Sequence, residues 1–134
     1  MSGDGIPPEV AAFIAKYVGS VVQLESLLLL EADPGRGWTA DEVARELRID
    51  PAWAAAQLDI LCGQAIVGYT GDQVRHFRYS PSDARTRETV AALAKAYAER
   101  RVTVISLIFA KPAVGLRAFA DAFRIRKDEN NSRG

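Results

Sequence analysis

Residues 38–79 read Trp38-Thr39-Ala-Asp-Glu42-Val43-Ala44-Arg45-Glu-Leu47-Arg48-Ile-Asp50-Pro51-Ala52-Trp53-Ala54-Ala55-Ala56-Gln57-Leu58-Asp59-Ile60-Leu61, then Cys62-Gly-Gln-Ala65-Ile66-Val67-Gly68-Tyr69-Thr70-Gly71-Asp72-Gln73-Val74-Arg75-His76-Phe77-Arg78-Tyr79. Thr39 with Glu42 three residues on is a capping-box pair, which satisfies two orphan amides and opens a helix over 39–47. Val43, Ala44 and Leu47 supply its core side. Asp50 followed by Pro51 starts a second helix over 50–61, an acceptor at the cap and a preset φ behind it. Leu58 and Leu61 point inward from it. Residues 65–69 and 75–79, rich in Val, Ile, Tyr and Phe, flank a Gly-Asp turn and predict a β-hairpin.

Outside this stretch the pattern is helical. Val10, Phe13, Ile14, Tyr17 and Val18 recur at the spacing of one helical face, with Pro7 and Pro8 in the first turn and Gly19 as the stop. Ser20 and Gln23 form a second capping-box pair, ahead of a buried stripe of Val21, Leu24, Leu27, Leu28 and Leu30. Asp33-Pro34-Gly35-Arg36-Gly37 is a loop by composition. Ser82 and Asp83 open a further helix, with Val90, Leu93, Ala94, Tyr97 and Ala98 on one face. Residues 102–109 are β-branched and nearly all apolar, so a strand is one reading. A helix is preferred, because Ala-rich sequence runs into it without a breaker. After Lys111-Pro112, Leu116, Phe119, Ala120 and Phe123 share a stripe on a last helix, and a polar tail follows.

A chain of 134 residues is one domain's worth. Its 49% apolar and 25% charged residues are those of an ordinary globular protein. A lone cysteine, Cys62, excludes an intramolecular disulfide framework and fits a reducing cytoplasm. The N-terminal residues lack the basic and apolar regions of a secretory signal, and no apolar run is long enough for a membrane span. Net charge is zero but unevenly spread: residues 39–63 carry −3, residues 83–111 carry +3 and residues 112–134 carry +2.

Helix, tight turn, helix and hairpin in that order resembles the winged helix-turn-helix family of small bacterial transcription regulators, with a MarR-like arrangement of the wing. In such regulators the second helix often reads Ser-Pro-small-Thr-Val-Ser-Arg-x-Leu-Arg-Arg-Leu. Here Asp50, Pro51 and Ala52 match its opening, and Ala54, Leu58 and Leu61 fill its core positions. The resemblance covers about 40 residues. It implies a mostly α fold with a small β-hairpin, Trp38 on a short first strand, and added N- and C-terminal helices. One domain spans 1–134, with the winged-helix core at about 20–81 and a helical extension at about 82–127. It also implies regulation of transcription by DNA binding.

The residues that would face a DNA groove depart from the pattern. Trp53 stands where Thr is usual, Ala55 for Ser and Ala56 for Arg, while Asp59 and Ile60 replace a basic pair. Base readout needs Arg, Lys, Asn or Gln on that face, and phosphate contact needs donors or cations. Gln57 is the one such side chain within the helix. Trp53, Ala56 and Ile60 instead align as an apolar stripe. Either it docks a partner or C-terminal helices, or Trp53 packs inward beside Trp38. Two sets of contact residues follow. For protein contact they are Trp53, Ala56, Ile60, Leu107, Phe119 and Phe123. For DNA they are Arg36, Arg45, Arg48, Gln57, Arg75, His76 and Arg78.

Enzyme chemistry is not indicated: there is no Gly-rich phosphate loop, no Ser–His–Asp or Cys–His set, and no acidic pair of suggestive spacing. One histidine and one cysteine do not make a zinc site. The expectation is a cytoplasmic, non-enzymatic regulator, a homodimer, with a protein partner or duplex DNA. It is expected to have no cofactor, no metal, no small-molecule substrate and no membrane span. The acidic reading half and the apolar stripe favour protein contact over base readout, because affinity for nucleic acid comes largely from neutralising phosphates.

Overall fold

The computed structural model of the chain describes residues 5–110. It contains α1 (Pro8–Tyr17), α2 (Val21–Ala32), α3 (Ala40–Leu47), α4 (Pro51–Gly63), β1 (Val67–Thr70), β2 (His76–Tyr79), α5 (Ala84–Glu99) and α6 (Arg101–Phe109). α2 lies at the centre: it packs against α3, α4, α5 and β2, while α1 packs on α5 and α6. Leu24, Leu27 and Leu30 of α2 are fully buried, together with Val43, Leu58, Leu61, Ile66, Phe77 and Leu93 from the surrounding elements. Val21 and Leu28, expected in the same stripe, are only partly buried against that core.

The helix starts follow the caps. Thr39 Oγ1 accepts from Glu42 N at 3.1 Å, and Glu42 Oε1 accepts from Thr39 N at 3.0 Å, so the capping box closes. Asp50 accepts from Ala52 N at 2.8 Å and Asp83 from Thr86 N at 2.7 Å. Ser20 accepts from Gln23 N at 3.0 Å, but the return bond differs from the expected box. Gln23 Oε1 accepts from Gly19 N at 2.8 Å, and its Nε2 donates to Tyr17 O at 2.7 Å and Gln64 Oε1 at 3.1 Å. Gln64 Nε2 also donates to Tyr17 O, at 2.9 Å. A buried amide therefore ties the end of α1 and the start of α2 to the end of α4.

The hairpin is antiparallel, with Val67 opposite Tyr79 and Tyr69 opposite Phe77. It is shorter than the sequence reading. Ala65 adopts φ 62°, so strand geometry begins only after it, and Arg75 lies in the turn. Gly71 turns at φ 101°, where an added Cβ would run into the Val74 carbonyl. Trp38 takes the expected first-strand place as a single bridge, exchanging two backbone bonds with Phe77 at 2.8 and 2.7 Å.

Residues 101–109 are helical, as preferred, but not continuous with α5. Arg100, at φ −138° and ψ 57°, breaks the chain direction between the two helices. At this break Glu25 Oε2 accepts from Tyr97 Oη at 2.8 Å and from Arg101 Nη2 at 2.9 Å, anchoring α5 and α6 to α2. Burial and the Glu25 carboxylate push the Tyr97 phenol up to about 12. The helix expected beyond residue 112 lies outside the described residues.

Replacing Gln23 by Ala removes the side-chain acceptor of Gly19 N and the donor to Gln64 Oε1, leaving Tyr17 O to Gln64 alone, and should cost about 1–3 kcal/mol by chemical denaturation, far more than an exposed substitution. The bond from the Thr39 amide holds the Glu42 carboxyl below its ordinary 4.5. A depressed folded-state pKa gives stability that is present above 4.5 and lost as pH falls through the folded value. Glu42→Gln keeps the bond without the titration, so its acid limb of stability against pH should be shallower than that of the parent chain.

Candidate interaction surface of α4 and the wing

α4 buries Ala54, Gln57, Leu58 and Leu61. Successive residues turn by about 100° in an α-helix, so Trp53, Ala56 and Ile60 fall together on the side away from that core. They are exposed: Trp53 by 51% and Ile60 by 44%. The alternative in which Trp53 packs beside Trp38 is overturned. Trp38 is buried in the hairpin layer, with the Arg36 guanidinium 3.5 Å from its ring centroid. Pro51 at the first turn and buried Ala54 set the phase of α4, and that phase turns Trp53 outward.

The same phase removes Gln57 from the DNA-contact set. Its residue exposure is 8%, so its amide is turned away from any groove the outer face would meet. The outer face of α4 thus carries Ala52, Trp53, Ala56, Asp59 and Ile60. It has no side chain that donates a hydrogen bond to a base edge apart from the Trp53 indole N–H.

The wing arginines are engaged with the fold. Arg75 Nη1 lies 3.3 Å from Asp59 Oδ1, and its guanidinium stands 5.0 Å from the Tyr69 ring centroid and 5.3 Å from that of Phe77. Arg78 Nη1 donates to Thr70 Oγ1 at 3.2 Å. Its guanidinium also lies against Gly37, where a Cβ would approach within 3.0 Å, so a larger residue there would displace Arg78. Arg36 stacks on Trp38 and lies 3.8 Å from Glu42. His76 is exposed on β2, opposite Thr70. Arg45 and Arg48 are exposed on and just after α3, with Arg48 closing the helix in the left-handed region at φ 60°. The structure therefore brings Arg75 and Asp59 together. Arg36 lies over Trp38 and Arg78 lies against Gly37, while Arg45 lies on α3 and Arg48 closes it.

Between the start of α3, α4 and the wing lies a cleft of about 200 Å³, lined by Thr39, Ala40, Asp41, Ala55, Gln73, Val74, Arg75 and Phe77. Val74 and Tyr69 on the wing are exposed large apolar residues that sequence reasoning did not single out. Tyr69 lies directly opposite Phe77, so strand alternation alone puts both on one side. Their burial differs because Phe77 is flanked on its other side by the Trp38 bridge, while Tyr69 lies on an edge strand.

On α6, Leu107 is half-buried against the core, which limits it as a contact residue. Val102 and Phe109, seven residues apart, are the large apolar residues of α6 left open to solvent, both 77% exposed. An all-round apolar sequence gave no phase by which to find them. Phe119 and Phe123 lie outside the described residues.

Helix, turn, helix, a bridging Trp38 and a paired hairpin, with helices added at both ends, decide the fold. It is a winged helix-turn-helix. No family model matches the chain, and no curated protein matches it. Solved structures do. A transcription regulator of the multidrug efflux pump MepA from Staphylococcus aureus, MepR, superposes with a TM-score of 0.53 at 14% identity, over 87% of this chain and 86% of that one. The YusO protein from Bacillus subtilis gives 0.52 at 19% identity, over 91% and 84%. The transcriptional regulator Tm0710 from Thermotoga maritima gives 0.51 at 9%, over 91% and 85%. At these identities the likeness is one of fold.

Among the described residues no group of three or more His, Cys, Asp or Glu is placed to hold a metal ion. No single described helix is long and apolar enough to cross a membrane.

The exposure of Trp53 is directly measurable. Of the two tryptophans, Trp53 should be quenched by acrylamide and Trp38 protected. Trp53→Ala should remove the quenchable component while changing stability by no more than about 0.5 kcal/mol, as at other exposed positions.

Proposed function

We propose that this chain is a non-enzymatic, cytoplasmic winged-helix regulatory protein that works through protein contact made by the outer face of α4. One observation carries the reading: the helix that reads DNA in this fold presents Trp53, Ala56 and Ile60 to solvent, flanked by Asp59, while Gln57 is buried. An apolar patch with an aromatic anchor is what a protein partner can desolvate, and Trp is among the residues that most often dominate such interfaces. Two of the solved structures of like fold are transcription regulators, which supports the regulatory class. Self-association as a homodimer belongs to the same proposal. Its support is the exposed Val102 and Phe109 on α6, which a second copy would cover.

A second reading has its own observation. Arg45 and Arg48 are exposed on α3, and Arg36, His76 and Arg78 line the wing side, so duplex DNA could be held by its backbone without base readout. Phosphate contact of that kind is strongly salt-dependent. Anisotropy of a labelled duplex separates the two. Protein contact predicts no saturable binding at physiological salt and no effect of Arg75→Ala with Arg78→Ala. Saturable binding whose steep salt dependence is flattened by that double substitution would replace it with the DNA reading.

A further inference from the structure

Asp59 and Arg75 form a contact that neither reading of the surface requires. In the recognition helix of this fold, a carboxylate at the outer edge repels phosphate. Here it does a second thing: its Oδ1 lies 3.3 Å from Arg75 Nη1, taking up the one wing cation that reaches back to α4. Arg75 is held from two directions. The carboxylate binds its guanidinium, and the rings of Tyr69 and Phe77 lie 5.0 and 5.3 Å from it on the wing. Ala55, one turn before Asp59, joins Arg75 in lining the cleft between α4 and the wing, so no bulk on the helix stands between the two. A phosphate reaching for Arg75 must displace a carboxylate tethered in the same chain, which competes at high effective concentration.

We propose that Asp59 is a specificity-determining residue that turns this winged helix away from duplex DNA, both by its own charge and by occupying Arg75. The inference rests on the protein-contact reading of α4 and names the residue that enforces it. Both partners are largely solvated, with side-chain exposures of 39% for Arg75 and 54% for Asp59, so the pair contributes little to stability and its removal leaves the fold intact. Its effect is on what the surface accepts.

The test is a four-way comparison of the full chain, Asp59→Asn, Arg75→Ala and the double variant, titrated against a mixed-sequence duplex over a series of low salt concentrations. Thermal midpoints confirm that each is folded, and Asp59→Ala repeats the charge removal with a different side chain. Asp59→Asn and Asp59→Ala should each tighten duplex binding about tenfold and steepen the salt dependence by about 0.9, the slope of one added phosphate contact. Arg75→Ala should change nothing in the parent chain and, in the Asp59→Asn background, should remove the added salt slope and leave only the smaller gain that comes from lost repulsion. No gain in either Asp59 variant, or a gain whose size and salt slope are unchanged by Arg75→Ala, overturns the proposal. Parent-chain binding that is lost with Arg78→Ala alone and indifferent to Arg75→Ala would instead sink the protein-contact reading while the role of Asp59 stands.

Discussion

The buried amide of Gln23 ties together the end of α1, the start of α2 and the end of α4. A polar side chain at the centre of an apolar core is tolerated only when its hydrogen bonds are made. Those of Gln23 are made at helix ends: to the carbonyl of Tyr17 where α1 stops, from the amide of Gly19 before α2 starts, and to Gln64 where α4 stops. Helix ends carry unpaired carbonyls and amides that need partners wherever water is excluded. By supplying them from one residue, the fold fixes the end of α4 against α2, while Pro51 and the buried Ala54, Leu58 and Leu61 set the phase of α4.

That phase has consequences for charge as well as for packing. With Ala54, Leu58 and Leu61 turned to the core, Gln57 is carried under the surface and Trp53, Ala56 and Ile60 are carried out. Asp59 is left at the edge nearest the wing, where it meets Arg75. The cations near this face thus have roles within the fold: Arg36 stacks on Trp38, Arg78 bonds Thr70 beside Gly37, and Arg75 pairs with Asp59. A winged-helix scaffold is combined with an outer α4 face that is apolar and edged by Asp59, the feature on which the proposed protein-contact reading rests.

Much of this was legible in the sequence because caps and turns act locally. Thr39 with Glu42, Asp50 with Pro51, and the Gly71 turn each specify a boundary from a few neighbouring residues, and each boundary lies within a residue or two of its predicted place. The role of Gln23 was half legible. Its backbone bond to Ser20 follows from spacing, but its side chain reaches Gln64 across 41 residues, and no local pattern encodes that. Gln57 was misread because a polar residue on an amphipathic helix is ordinarily on its wet side. Trp53 was undecided because an aromatic suits either side. The break at Arg100 left no mark either: with no Gly or Pro there, it comes from tertiary bonds that Glu25 makes to Tyr97 and Arg101.

α4 turns an apolar face outward in the place where DNA is read in this fold. The most direct measurement follows the two tryptophan indole N–H signals in a nitrogen-15 NMR spectrum of the full chain as duplex DNA is added at low salt. One solvent-exposed indole, assigned to Trp53 by its loss in Trp53→Ala, should not shift while duplex is added to excess. A saturable shift of that signal, together with the α4 amides around Ala56 and Ile60, would place DNA on the very face assigned here to protein and would contradict the protein-contact reading.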